Sequence, residues 1–203
     1  MKIRHHASLW VLLLVCLGII GLTVYVARPP EPPFDITDAC KILQEYPDWY
    51  RASKKAAQRW GLPIASQLAI IYQESRFRAD AKPLRDRLLK RVPWVRRSSA
   101  VGYAQVQDDT WERYKKATKN WQANRENYSD AVDFIGWYTH QAHREAGLSL
   151  SNTRDVYIAY HDGVTGYLKG KYRHELWLWH VANNVEHMAW RYQMQLSRCK
   201  LPK

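Results

Sequence analysis

From Phe34 onward, apolar positions recur at three- and four-residue spacing almost everywhere, and no run alternates as a half-buried strand would. That spacing predicts a succession of helices. Thr37-Asp38 opens the first, which reaches about Tyr46, and Pro47-Asp48 starts a second that Gly61 closes. Pro63 takes a first-turn position ahead of Ile64, Leu68 and Ile71. Asp109 and Glu112 have capping-box spacing before Tyr114 and Ala117. Ser129 begins a long helix ended by Gly147, Asn152 begins one ended by Gly163, and the last runs from about Glu175 to Leu196. One long irregular segment, at about residues 76–99, interrupts the series, and the chain has no internal repeat. The fold class is therefore all-α.

The first residues follow a different pattern. Lys2, Arg4, His5 and His6 precede a run at residues 9–27 that carries no charge. At about 1.5 Å per residue such a run matches the roughly 30 Å hydrocarbon thickness of a bilayer. The basic residues before it predict a cytoplasmic N-terminus with the rest of the chain beyond the inner membrane, in the periplasm. A cleaved signal peptide shares these features, but Tyr25-Val26-Ala27 fits a small-residue cleavage site poorly. Val15 before Cys16 likewise fits a lipoprotein site poorly. The reading is a transmembrane anchor at 1–28, a stiff proline-rich linker at 29–33 and one folded domain at 34–203.

Export changes the reading of the cysteines. Cys40 and Cys199 stand near the two ends of the domain, and in an exported chain they predict a disulfide that clasps it. No C-x-x-C pair and no His/Cys cluster has metal-ligand spacing, so neither metal nor cofactor is expected. The formal charge of +12 calls for a polyanionic partner. Beyond the cytoplasm nucleic acid is excluded, and peptidoglycan, with its lactyl and peptide carboxylates, is the acidic polymer at hand. Ten tryptophans and thirteen tyrosines suit sugar faces as well as a core.

Candidate chemistry begins at Glu74, at the end of the Pro63 helix and on the flank of its apolar stripe. A carboxyl group there is partly desolvated, which raises its pKa and keeps a proton for a glycosidic oxygen. Glu74-Ser75-Arg76-Phe77 is followed by Ser99-Ala100-Val101-Gly102-Tyr103-Ala104-Gln105 and later by Ala159-Tyr160-His161-Asp162-Gly163. These three blocks, in this order, resemble the soluble-lytic-transglycosylase family, related to goose-type lysozyme. The resemblance implies a lysozyme-like helical domain that cleaves peptidoglycan glycan strands. It implies that Glu74 is the single catalytic acid and base, with the Tyr160 hydroxyl bonded to its carboxylate. Ser75, Gly102, Tyr103, Gln105 and His161 would then line the substrate cleft.

Some positions depart from that family. Tyr103-Ala104 stands where it has Leu-Met, and His161 replaces an asparagine. Between Ser75 and Gly102 the chain is about ten residues longer, and Arg76, Arg78, Lys82, Arg85, Arg87, Lys90, Arg91, Arg96 and Arg97 there face only Asp80 and Asp86. This stretch is expected to be a basic lip on the cleft or a solvated loop. No second acidic residue stands in a matching block. The expected reaction is therefore non-hydrolytic, with the sugar's own N-acetyl group and 6-hydroxyl completing it to a 1,6-anhydromuramyl end. A lysozyme-like hydrolase, and a non-catalytic wall-binding scaffold of an envelope machine, are the alternatives. No partner in such a machine can be named from the sequence.

Overall fold

The computed structural model describes residues 30–83 and 98–201, together with Val15. Seven α-helices form among the described residues of the domain: α1 (Ala39–Glu45), α2 (Pro47–Trp60), α3 (Ile64–Ser75), α4 (Asp108–Thr118), α5 (Tyr128–Ala146), α6 (Thr153–Leu168) and α7 (Leu176–Leu196). A short 3-10 turn, Lys171–His174, joins the last two. The only pairing of extended backbone among these residues is one antiparallel bridge between Val101 and Val106. The fold is all-α, as the spacing predicted, and lysozyme-like, as the resemblance implied.

The helix ends have local causes. Asp38 caps α1 by accepting from the N–H groups of Cys40 and Lys41. Pro47 opens α2, and Gly61 closes it in the left-handed conformation at φ 85°. Asn127 caps α5 through its side chain two residues ahead of the predicted start at Ser129, and Asn152 caps α6 at its predicted start. The capping box expected from Asp109 does not form. α4 starts at Asp108 behind Gln107, which makes no side-chain cap. The Asp108 N–H instead takes the hydroxyl of Ser99. Gly163 breaks α6 at φ 74°, ψ 162°, yet the helix resumes and continues to Leu168.

The centre is α3. Every residue from Ala65 through Ile71 is buried, so this helix is enclosed on all sides rather than along a stripe. It packs against α7, while α2 lies along α5 and α6 bridges α5 to α7. Aromatic rings fill the α2–α5 seam. Trp49 stacks on Tyr128 at 4.1 Å and meets Tyr103 edge-on at 5.6 Å. At Gly136 a Cβ would come within 2.6 Å of the Trp60 ring, so the glycine lets that indole seat on α5. Asp133 then accepts from Trp60 Nε1 and from the Tyr114 hydroxyl, each at 2.8 Å, tying α2, α4 and α5 together. Asp133→Leu leaves both donors without an acceptor and should cost about 2–4 kcal/mol, read as the midpoint of chemical denaturation.

The expected membrane anchor finds no support in the structure. Among the described residues no helix is long and apolar enough to cross a membrane. Of the run on which the anchor was drawn only Val15 is described; residues 1–14 and 16–29 lie outside the described residues. The transmembrane segment, the inner membrane as a partner and the anchored periplasmic location rested on that run and fall with it. Hydropathy meets one requirement of a span, apolar length, and by itself does not supply the continuous helix that a span also needs. The compact unit begins at Glu31, whose carbonyl accepts from the Tyr46 hydroxyl at 2.8 Å. Residues 84–97, and with them Arg85, Arg87, Lys90, Arg91, Arg96 and Arg97, also lie outside the described residues.

Candidate active site

α3 ends beside a cleft of about 450 Å³, and Glu74, its penultimate residue, lines that cleft. Burial pushes the Glu74 carboxyl up from its ordinary value of 4.5 to about 7; a contact with the Tyr157 hydroxyl and the nearby His161 pull the other way. The helix stops abruptly after it. Arg76 and Phe77 both adopt positive φ, 53° and 59°, which costs non-glycine residues energy. Two contacts hold this turn. The Arg76 guanidinium lies over the Tyr72 ring at 3.9 Å, and Phe77 is fully buried against Trp49. Glu74 is thus fixed at the cleft while the chain turns away.

The opposite wall comes from the 101–106 turn. Gly102 has φ +82°, and a Cβ there would stand 2.1 Å from the Arg125 carbonyl oxygen. Its glycine is required by this close approach of two backbones rather than by a sugar. Gln105 lines the cleft, but its side-chain amide donates inward to the carbonyls of Ala81 and Gly102 at 2.8 and 2.9 Å. Arg125 secures the same turn from outside by donating to the carbonyls of Ser99 and Val106, each at 3.1 Å. No motif marked Arg125 in the sequence; it is a single arginine in a connecting loop.

α6 supplies the third wall. Tyr160 lines the cleft, yet its hydroxyl donates to the Ala104 carbonyl at 2.6 Å. That bond pins α6 to the 101–106 turn. The hydroxyl facing Glu74 belongs to Tyr157, one turn earlier, where the resemblance had placed Tyr160. Residues 157, 160 and 161 share one helical face, so the i, i+3, i+4 spacing around Tyr160 was the available signal for Tyr157. His161 sits on the cleft wall with Nδ1 3.0 Å from Asp162 Oδ1.

Besides Gly102, two expected cleft residues lie elsewhere. Ser75 is buried, and its hydroxyl turns back to the Ile71 carbonyl at 3.2 Å. Tyr103 is fully buried among Trp49 and Tyr128, a core residue. Phe134, Tyr138, Gln107, Thr110 and Asp162 line the cleft instead, none of which the motifs singled out for substrate. The arrangement provides the Glu74 carboxyl, a second carboxyl at Asp162 held against His161, aromatic faces and amide or hydroxyl groups around an open groove. It suits protonation of a glycosidic oxygen.

No curated protein and no solved structure matches the chain. The family model described as the transglycosylase SLT domain matches residues 7–199, nearly the whole length. The chain therefore belongs to the SLT-type lytic transglycosylase family and carries that family's type of enzymatic activity.

Proposed function

We propose that this protein cleaves the β-1,4 bond between N-acetylmuramic acid and N-acetylglucosamine in peptidoglycan strands, leaving 1,6-anhydromuramyl ends, with Glu74 as the acid and then the base. The observation that carries the reading is the Glu74 carboxyl at the cleft, raised to about 7 by burial. A carboxyl so tuned keeps its proton near neutrality, when an ordinary glutamate has lost it. It protonates the leaving oxygen as the bond to the anomeric carbon breaks. The acetamido group of the muramyl sugar covers that carbon, and the 6-hydroxyl then displaces it, returning its proton to Glu74. No water is consumed. Gln105, Tyr160 and His161 contribute cleft wall, and Tyr157 keeps the carboxyl oriented between the two proton transfers.

Mass spectrometry of fragments released from purified sacculi tests the reaction. Fragments one water lighter than hydrolysis products support the anhydro product; hydrated ends assign a lysozyme-like hydrolase instead. The proton itself has a kinetic signature. Activity requires protonated Glu74, so kcat/KM should fall tenfold per pH unit above about 7. Tyr157 favours the ionised carboxylate, so Tyr157→Phe should shift that limb to higher pH. A limb that stays in place would remove Tyr157 from the site.

A further inference from the structure

Two recesses beside α3 and α7 share no lining residue with the catalytic cleft, and the reaction above uses neither. The larger, about 740 Å³, lies at the start of α3, where Pro63, Ala65 and Ala189 give it apolar walls. Trp190 of α7 also lines it and is 67% exposed, a large ring left in water. Polar groups accompany the ring. Glu186 and Gln193, one turn to either side of it, line the same recess, and so do Ser66 and Thr153. The last two hydroxyls bond each other at 2.8 Å, which uses one of their two O–H donors and leaves the other to give. The smaller recess, about 310 Å³, lies toward the other end of α3 and is cationic. Arg76 and Arg191 line it with Gln73 and Asn184, and among the described residues no carboxylate does. Both guanidiniums act electrostatically on the Tyr192 hydroxyl, so they converge, and Arg76 is held over the Tyr72 ring at 3.9 Å. His187 lines both recesses, which makes them one seam. From Ser66 to Arg76 the seam extends about 15 Å, at roughly 1.5 Å per helical residue.

We propose that this seam is a second binding site for peptidoglycan, taking a disaccharide together with its acidic peptide away from the bond that is cut. The inference rests on peptidoglycan as the substrate proposed above and not on the role of Glu74. Ligand and seam match in polarity. A pyranose presents a face of C–H bonds to an aromatic ring, with hydroxyl and acetamido groups at its rim. That suits Trp190 flanked by Glu186, Gln193 and the Ser66–Thr153 pair. Muramic acid adds a lactyl group and a peptide whose carboxylates need cations, and Arg76 and Arg191 stand beyond His187 for them. Glu186, the one carboxylate among the lining residues, lies at the sugar end, apart from the charges of the peptide. A neutral polysaccharide would leave two convergent guanidiniums unanswered, and a nucleic acid would bring phosphates against Glu186 beside the ring. Gln73 and Arg76 flank Glu74 in sequence yet line the seam, so one helix carries both sites. A strand held here raises the effective concentration of the next bond at the cleft.

The test titrates a soluble N-acetylglucosaminyl-N-acetylmuramyl-tetrapeptide into the full chain and follows NMR signals. This ligand contains no bond of the kind the enzyme is proposed to cut, so it survives the titration. The Trp190 indole N–H and the Arg191 side-chain signal should move together with one Kd, whether or not Thr110 in the cleft follows. Trp190→Ala and Arg191→Gln, both at exposed positions, should each weaken that Kd about tenfold and leave the thermal midpoint in place. Arg191→Gln should also remove most of the dependence on salt. A neutral chitin-type disaccharide should move Trp190 alone, more weakly and independently of salt. If the free tetrapeptide binds as tightly as the whole ligand, the ring adds nothing and the proposal is overturned. A titration that moves Thr110 but not Trp190 overturns it as well and leaves the cleft reading standing. Silence at both places removes peptidoglycan as the ligand of either.

Discussion

Glu74→Gln is expected to abolish glycan cleavage while making the folded protein more stable above neutral pH. The loss of activity follows from the proton. Glutamine is nearly the same shape but has none to give, and a positioned acid contributes about 10²–10⁴-fold. The gain in stability follows from the raised pKa. Folding lifts the carboxyl from 4.5 to about 7, so the folded state holds the proton more tightly than the unfolded chain. That contribution is complete below pH about 4.5 and is lost as pH rises through about 7, at most about 3 kcal/mol in all. Glutamine stays neutral and removes this slope. Thermal midpoints of parent and variant should therefore be similar near pH 4 and diverge in favour of the variant toward pH 8. Undiminished release of soluble fragments by the variant would end the case for Glu74. Parallel midpoints at all pH values would show that its carboxyl is not desolvated.

Removing the disulfide should have the largest effect on stability. Cys40, in the first turn of α1, is bonded to Cys199 just beyond α7, with Cα atoms 5.6 Å apart and a sequence separation of 159. On the chain-entropy account, closing a loop of this size stabilises by about 3–5 kcal/mol. At roughly 2–4 °C per kcal/mol, Cys40→Ser with Cys199→Ser should lower the thermal midpoint by about 10 °C. The folded ends retain other ties. Gln195 accepts from the Ala39 N–H at 2.9 Å and donates to the Thr37 carbonyl at 3.1 Å, and Gln44 donates to the Lys200 carbonyl at 3.2 Å. Cleavage measured well below the midpoint should therefore be unaffected. An unchanged midpoint would mean that the unfolded chain gains nothing from release of the clasp.

Much of this architecture was legible because its determinants are local. Pro47, Gly61, Asn152 and Gly147 mark their helix ends through backbone geometry that any fold would respect. The disulfide was legible from the position of two cysteines. Position in the cleft was less so. Ser75 and Tyr103 belong to the motif blocks yet face the core, because adjacent residues on a helix or tight turn point in different directions. Glu74 was found from the same block, yet α3 has no apolar stripe for it to flank, and it reaches the cleft because the helix ends there. Tyr157 supplies the contact first assigned to Tyr160, and which of two tyrosines one turn apart reaches a carboxyl depends on how α6 packs on α3. Arg125 and Asp133 act across long sequence separations, and no spacing rule reaches them. The apolar run near the start lies outside the described residues apart from Val15, and no described helix is long and apolar enough to cross a membrane.

The clasp also fixes how the domain bears load. A polymer-processing enzyme is tugged whenever its substrate or its neighbours move, and force applied at the two ends of this domain enters at Cys40 and leaves at Cys199. Because those residues are covalently joined, tension runs through one sulfur–sulfur bond and bypasses the chain between them. The helices and the cleft stay slack. Only reduction exposes them to traction, and then about 550 Å of contour becomes available at roughly 3.5 Å for each of the 159 positions. Pulled from its ends, the oxidised domain is a short inextensible link, and the reduced one a long tether.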